Sequence, residues 1–203
     1  MKTLEEVAQR VSVCTDCPLS ENRNKAVAGE GPKDADIMFI GEGPGFHEDR
    51  EGRPFVGPSG RILEELIQSI GLKRVDVFIS NVVKCRPPNN RDPLPVEIAS
   101  CRKFLDKQLE LIQPKVVVTL GRHSMGRFLP NQPIGRNRGK VRSIEGFQVY
   151  PVYHPAAALR NQNFKRVIEE DFKVIPSLVL QSSGKGHLGD ETGKQLNLFQ
   201  QGS

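Results

Sequence analysis

Apolar and amphipathic stretches alternate along most of the chain. Four short apolar runs, rich in β-branched side chains, have the character of buried strands. They are Ile37–Ile40, Val77–Val83, Val116–Leu120 and Val149–Tyr153. Two helical stretches lie between them, Ser59–Ile70 with Ser59 as the expected N-cap, and Pro95–Ile112 with its proline in the first turn. Strands that alternate with helices predict an α/β fold with a parallel sheet covered on both faces and functional groups at the carboxyl ends of the strands.

The two ends of the chain have different patterns. Apolar side chains at helical spacing over Leu4–Val11 predict an amphipathic helix, which runs into a CxxC turn. The segment Ser182–Lys194 has four glycines and one apolar side chain, too little to offset the entropy of ordering it. The pattern therefore predicts one domain over residues 1–180 and a flexible tail over residues 181–203.

Composition narrows the class of protein. The chain has 203 residues, 37% of them hydrophobic and 26% charged, which suits one folded domain. It contains no run of 18 apolar residues and no secretory leader, so we expect a cytoplasmic protein without a membrane span. We also expect it to be a monomer. The net charge of +5 favours an anionic partner, with nucleic acid the first to test.

Four cysteines form the first candidate site. Cys14 and Cys17 make a CxxC pair, and Cys85 and Cys101 follow far along the chain. Structural disulfides are rare in the cytosol, whereas four thiolates with one close pair suit a soft metal. Zinc and an iron–sulfur cluster are both consistent with this spacing.

Four loop motifs, in this order, carry a resemblance to a known family. They are GEGPG at Gly41–Gly45, GRPFVG at Gly52–Gly57, SNVVKCRPP at Ser80–Pro88 and YHPAAALRN at Tyr153–Asn161. Together with the four cysteines, they resemble the family 4 uracil-DNA glycosylases. The resemblance implies a three-layer α/β/α sandwich with a central four-stranded parallel sheet, and a [4Fe-4S] cluster on the four cysteines rather than zinc. It also implies an enzyme that hydrolyses the glycosidic bond of deoxyuridine in DNA and so initiates base excision repair.

The same resemblance assigns roles in a pocket for uracil. Phe55 would stack on a base flipped out of the helix, and stacking of this kind contributes about 1 to 3 kcal/mol per base. Asn81 would read the O4 and N3 edge, and His154 would contact O2 as negative charge builds on the leaving base. Gly41 and Gly43 would lie in the loop beside the base.

The group that activates water is less clearly marked. In the best-known glycosylase branch an aspartate stands at the position that matches Gly43, and glycine cannot accept a proton. The neighbouring carboxylates are Glu42, which we name first, and Glu48, which we name second.

Several residues are candidates for contact with DNA. A helix amino terminus can bind phosphate, a basic stretch can neutralise it, and an apolar loop tip can press into the base stack. The candidates are Ser59, Gly60, Arg136, Arg138, Lys140, Leu159 and Arg160. The basic stretch Arg136–Arg142 lacks the histidine of a related branch that traps its DNA covalently, so we expect hydrolytic turnover.

The tail ends in a short apolar motif. Gln195, Leu196, Leu198 and Phe199 resemble the QLxLF motif that binds the bacterial β sliding clamp. Such side chains would fill a preformed groove while the tail acts as a tether.

Two alternatives remain open from the sequence. One is a metal-stapled DNA-binding module without catalysis, which would use the same basic loops. The other is a glycosylase of the same fold for another deaminated base, such as a purine, because the family's lack of an aspartate at Gly43 leaves the preferred base open.

Overall fold

A computed structural model describes residues 1–183 of the chain. Its centre is a five-stranded sheet in the order β2-β1-β3-β5-β4. The strands are β1 (Ile37–Gly41), β2 (Phe78–Asn81), β3 (Val116–Leu120), β4 (Arg142–Ile144) and β5 (Phe147–Val152). β2, β1, β3 and β5 are parallel, and β4 pairs antiparallel with β5.

The α/β fold with a parallel sheet is confirmed, but the expected number of four strands is wrong. The fifth strand, β4, has three residues and lies inside the basic stretch, so it has no hydrophobic alternation to reveal it. Glu145 and Gly146 join β4 to β5 with φ of 52° and 84°. Two consecutive positive φ angles are typical of the tight turn that closes a hairpin.

Seven α-helices are present in the described residues. They are α1 (Leu4–Ser12), α2 (Phe46–Glu51), α3 (Pro58–Ser69), α4 (Pro95–Ile112), α5 (Arg122–Gly126), α6 (Ile134–Asn137) and α7 (Gln162–Ser183). The expectation that Ser59 caps its helix is wrong, because Gly57 is the N-cap and Pro58 begins the helix. Proline suits that first position because its missing N–H has no partner there in any helix. α7 continues to Ser183, three residues beyond the domain end expected at residue 180.

Two hydrophobic cores lie on opposite faces of the sheet. On one face, α1 and α4 pack Val11 and Phe104 against Met38 and Ile40 of β1. On the other face, α3 and α7 pack against the alternate side chains of the same strands, including Phe39. Successive strand residues point to opposite faces, so every buried parallel strand supplies both cores. The result is a three-layer sandwich with the carboxyl ends of the parallel strands along one edge.

None of the helices in residues 1–183 combines the length and the apolar character that a membrane span requires.

Phe172 tests the packing of α7. It is fully buried, and its ring stacks on Phe39 with centroids 5.6 Å apart. Replacement by alanine removes this contact and leaves a cavity, so we expect the free energy of unfolding to fall by about 3 to 5 kcal/mol, measured by urea denaturation. Leu180 on the same helix is 74% exposed, and its truncation should change the stability by less than about 0.5 kcal/mol. Equal losses at the two positions would contradict this packing.

Candidate active site and metal centre

A cleft of about 500 Å³ opens where β1, β2 and β5 end. Loops that follow these strands form its walls. The sequence-predicted residues that line it are Glu42, Gly43, Glu48, Phe55, Ser59, Asn81, His154 and Arg160. The fold therefore brings together residues from four separate motifs.

Gly41 allows the base of this cleft to close. A Cβ at this position would lie 2.4 Å from Asn81 Oδ1 and 2.6 Å from Phe55 Cζ. Both distances are far below a van der Waals contact, so a side chain here would push Asn81 or Phe55 out of place. Gly43 is restricted in the same way, since its Cβ would lie 2.7 Å from Val83 Cγ2.

Phe55 is held by its own backbone. Its φ is 49°, in the left-handed region that phenylalanine rarely adopts. Arg74 donates from Nη1 to the main-chain oxygen of Phe55 at 3.0 Å and also bonds the oxygen of Pro54. Gly60 leaves room for the same carbonyl, because a Cβ there would lie 2.1 Å from it. Arg74 is in turn fixed by Glu30 at 2.7 Å.

Asn81 ends β2 and is 2% exposed, yet its Oδ1 has no hydrogen-bond partner. A buried amide oxygen without a partner costs free energy, on the order of 1 to 3 kcal/mol. Such atoms are few in native structures, and a functional role is one reason for which they are retained. The Asn81 side chain lines the cleft, so a donor group bound there would satisfy it.

His154 lies opposite, with its ring near-parallel to Phe55 and the centroids 5.6 Å apart. Its Nδ1 accepts a hydrogen bond from the Ala156 amide at 3.1 Å. Burial lowers the pKa of His154 to about 4, so the ring is neutral near pH 7. Because Nδ1 is an acceptor, the proton of the neutral ring is on Nε2, which makes His154 a neutral donor.

Glu48 joins two of the loops. Its Oε1 accepts from the amides of Val56 and Gly57, both at 2.9 Å, and its Oε2 accepts from Gly45 at 3.1 Å. The residue is 8% exposed. This carboxylate therefore ties the GEGPG loop to the GRPFVG loop, and both of its oxygens are engaged.

Glu42 has a different environment. His123 Nε2 lies 3.7 Å from Glu42 Oε2 and 3.3 Å from Asp92 Oδ1, and Arg122 pairs with Asp92. Burial raises the pKa of the Glu42 carboxyl above its ordinary value. With both Glu48 oxygens bound to amides, Glu42 is the carboxylate better placed to act on a molecule in the cleft. Sequence reasoning missed His123 and Asp92, which carry no motif of their own.

The residues of the basic stretch Arg136–Arg142 have different environments in the fold. Arg136 and Lys140 are exposed and do not line the cleft. Arg138 forms an ion pair with the buried Asp171 at 2.5 Å, and its guanidinium lies over Tyr153, 5.7 Å from the ring centroid. Arg138 thus connects α7 to the residue before His154.

Exposed apolar groups border the cleft on two sides. Leu159 is 52% exposed, and its neighbour Arg160 lines the cleft. On the other side Phe46 is 45% exposed, with the guanidiniums of Arg50 and Arg86 at 5.6 and 5.3 Å from its ring centroid. Neither arginine forms an ion pair within the described residues.

The four cysteines line one small space beneath α1 and α4. They are Cys14, Cys17, Cys85 and Cys101. Arg23 donates from Nη1 to Cys85 Sγ at 3.1 Å, and the main-chain amide of Lys84 donates to Cys101 Sγ at 3.3 Å. Burial raises the pKa of the Cys101 thiol to about 11. A bound metal would favour the thiolate instead, and N–H donors to sulfur would support its charge.

Lys84 is a further residue that the sequence did not mark. Its side chain is 1% exposed, and burial lowers its pKa to about 8. It lies between the cysteines and Asn81.

The tail motif at Gln195, Leu196, Leu198 and Phe199 lies outside the described residues.

Comparison with known proteins shows the family of the chain. The family model of the uracil DNA glycosylase superfamily matches residues 28–173. A solution NMR structure of a protein from Methanosarcina acetivorans matches the fold with a TM-score of 0.50 at 12% identity, over 75% of this chain and 98% of that one. The chain therefore belongs to the uracil-DNA glycosylase superfamily.

Relatives that match most of the chain show which group of the superfamily it belongs to. The type-4 uracil-DNA glycosylase of Sulfurisphaera tokodaii is 47% identical over 89% of this chain and 86% of its own length. The type-4 enzyme of Thermotoga maritima is 44% identical over 87% of this chain and 94% of its own length. The chain is thus a member of the type-4 group, which confirms the family expected from the four loop motifs.

The protonation of His154 is directly testable. We expect its ring to stay neutral, with the proton on Nε2, as the pH falls from 7 to 5, because burial lowers its pKa to about 4. Long-range ¹H–¹⁵N correlation spectra report both the tautomer and the midpoint, and His154→Asn assigns the signal. A midpoint close to 6.5 or a proton on Nδ1 would contradict the described geometry.

Proposed function

We propose that this protein flips deoxyuridine out of DNA, hydrolyses its N-glycosidic bond and so initiates base excision repair. The observation that carries the proposal is the unpartnered Oδ1 of buried Asn81, which lines the same cleft as the neutral donor His154. The type-4 relatives are named for this activity, and the residues of the cleft supply the groups it needs.

Recognition of uracil rests on Asn81. Uracil carries a hydrogen on N3 and an acceptor at O4, so the amide oxygen of Asn81 accepts from N3–H while its NH₂ group donates to O4. Cytosine has an acceptor at N3 and an amino group at C4, so it would oppose both contacts. Only a base that carries a hydrogen on N3 can therefore donate to the buried Oδ1.

Bond cleavage rests on His154. When the bond between C1′ and N1 breaks, its electron pair leaves with uracil, and the negative charge spreads to O2. The Nε2–H of a neutral His154 donates to that oxygen, where the charge develops. Phe55 offers the base a flat face, and its strained backbone is held in advance by Arg74.

Water attack rests on Glu42. Its carboxylate accepts a proton from the water that bonds to C1′, and its negative charge also stabilises the sugar cation. His123 Nε2 lies 3.7 Å from this carboxylate. The proton that Glu42 takes up returns to solvent, and the uracil anion takes a proton from solvent at N1. The products are free uracil and an abasic site, with no bond to the protein.

The rim of the cleft would hold the DNA. Flipping a base costs a few kcal/mol, which contacts to the distorted strand must offset. Leu159 is placed to fill the gap in the stack and Arg160 to bind phosphate. On the other side Phe46 would offer a stacking face beside the guanidiniums of Arg50 and Arg86, neither of which forms an ion pair in residues 1–183.

We propose an iron–sulfur cluster on Cys14, Cys17, Cys85 and Cys101. Around one zinc ion, sulfurs bound at about 2.3 Å would lie about 3.8 Å apart. In residues 1–183, no three cysteine sulfurs lie within 4.8 Å of one another. The potential ligand atoms that do lie this close belong to Glu42, Asp92 and His123. The wider spread of sulfurs and the N–H donors to them suit a cluster. Bound there, it would fasten the amino-terminal segment to the domain, and its thiolate ligands suit the reducing cytoplasm.

Base release from labelled oligonucleotides tests the activity. Strands with one uracil, thymine or hypoxanthine are incubated with the protein, and abasic sites are revealed by alkaline cleavage. We expect cleavage at uracil alone, a loss of about 10² to 10³-fold in His154→Ala and release without a denaturant-stable adduct. Asn81→Ala should also lose its preference for uracil. Binding without cleavage would favour a non-catalytic module, and cleavage at hypoxanthine would change the assigned base.

The role of Glu42 predicts an acid limb in the pH profile. Glu42 must be ionised to accept a proton, and its pKa is raised above 4.5. Activity is therefore lost as the pH falls through that raised pKa, while His154 stays neutral. Single-turnover rates should show the limb in the parent protein, and Glu42→Gln should remove it and slow the reaction by about 10²-fold or more. The matched control Glu51→Gln, at an exposed carboxylate of α2, should change neither the acid limb nor the rate. If Glu42→Gln kept the acid limb, the limb would belong to another group.

We also propose that the tail motif binds a bacterial β sliding clamp. Three apolar side chains, Leu196, Leu198 and Phe199, would fill the groove of the clamp. Deleting residues 195–203 should abolish capture of the protein by immobilised clamp and leave base release from short oligonucleotides unchanged. Equal capture of the deleted and full chains would exclude this partner.

A further inference from the structure

Lys84 is a buried cation without a carboxylate partner. Its side chain is 1% exposed, and no ion pair in the described part of the chain includes it. Buried lysines are rare because the loss of hydration disfavours the ammonium, and they are normally paired. No carboxylate offsets its charge, so a counter-charge would have to come from a group of another kind.

The hydrogen-bond partners of Lys84 are neutral. Its Nζ donates to Gln108 Oε1 at 2.7 Å, to the main-chain oxygen of Asn81 at 2.9 Å and to Ser80 Oγ at 2.5 Å. These three acceptors match the three hydrogens of an ammonium. They orient the group but do not balance its charge.

The cysteine site adjoins Lys84 and would carry negative charge once a metal is bound. Lys84 lines the same small space as the four cysteines, and its own amide bonds Cys101 Sγ. Four thiolates carry four negative charges, so a centre built on them is anionic with either zinc or an iron–sulfur cluster.

The other end of this network is the base-reading residue. The bond to the Asn81 carbonyl fixes the last residue of β2, where Asn81 pairs with Gly41 of β1. The Asn81 side chain has no hydrogen-bond partner at Oδ1 to hold it. Its position in the cleft therefore depends on its main chain, which Lys84 holds.

We propose that Lys84 is a positioning residue that balances the charge of the four-cysteine centre and, through its bond to Asn81, couples that centre to the reading of uracil. The inference rests on the proposed cysteine centre and glycosylase activity. It assigns the centre a second task besides fastening the amino-terminal segment, because loss of the anion leaves a buried cation beside Asn81.

Lys84→Met tests the charge balance, with Lys103→Met as the matched control. Lys103 is also a lysine beside the cysteine site, but its side chain is 53% exposed and pairs with Asp16. We expect Lys84→Met to lose its metal to a chelator at least tenfold faster than the parent protein. Without the Lys84 cation, adding an electron to a cluster is less favourable. The reduction potential of the cluster should therefore shift to a more negative value. Lys103→Met should match the parent protein in both measurements.

Gln108→Glu gives the same test without removing a buried side chain. It places a carboxylate beside the Lys84 ammonium and so competes with the centre for its charge. The shift in potential should have the same sign as in Lys84→Met. If Lys84→Met does not fold, Gln108→Glu decides the question, and a potential equal to that of the parent protein overturns the proposal.

A double-mutant cycle tests the coupling to Asn81. Lys84→Met should reduce kcat/KM for uracil at least tenfold, but much less when Asn81 is already alanine. Equal effects in both backgrounds would overturn the coupling. A parent protein without bound metal or uracil release would instead refute the proposed function, so the two failures are distinguishable.

Discussion

The cleft depends on one close approach, that of Asn81 and Phe55 over the hydrogen atom of Gly41. Neither side chain could take its position if residue 41 carried even a methyl group. Parallel pairing of β1 with β2 brings Gly41 opposite Asn81, and the turn at Phe55 brings its ring down from the other side. The geometry of the cleft is therefore set mainly by backbone positions in the sheet and in one strained loop.

Loops of this kind require anchors, and the fold supplies them from distant parts of the chain. Glu48 gathers three amides of two loops, Arg74 holds the carbonyls beside Phe55, and Arg138 ties α7 next to Tyr153. These charged groups are buried or partly buried, and each is paired with a backbone group or an opposite charge. Charge inside this protein is used to hold loops and helices in place, and the bond from Lys84 to the Asn81 carbonyl follows the same pattern.

The sequence predicted the parts of this molecule that leave a periodic or motif signal. The four parallel strands and α4 follow from their hydrophobic pattern, and the four loop motifs identified the family. β4 was missed because three exposed residues carry no period, and Ser59 was misplaced at the cap because Pro58 begins the helix. Arg74 and Lys84 could not be predicted, since an isolated basic residue has the same sequence signature at the surface and in the interior. Their roles follow from the tertiary contacts.

The contact between Gly43 and Val83 has an evolutionary consequence. An aspartate at residue 43 would meet Val83 Cγ2 at its first side-chain atom, so a carboxylate could stand there only if the Val83 side chain moved. A smaller residue at position 83 would relieve that contact. The residues at positions 43 and 83 are therefore expected to change together, which links the loop after β1 to the segment that leads to Cys85.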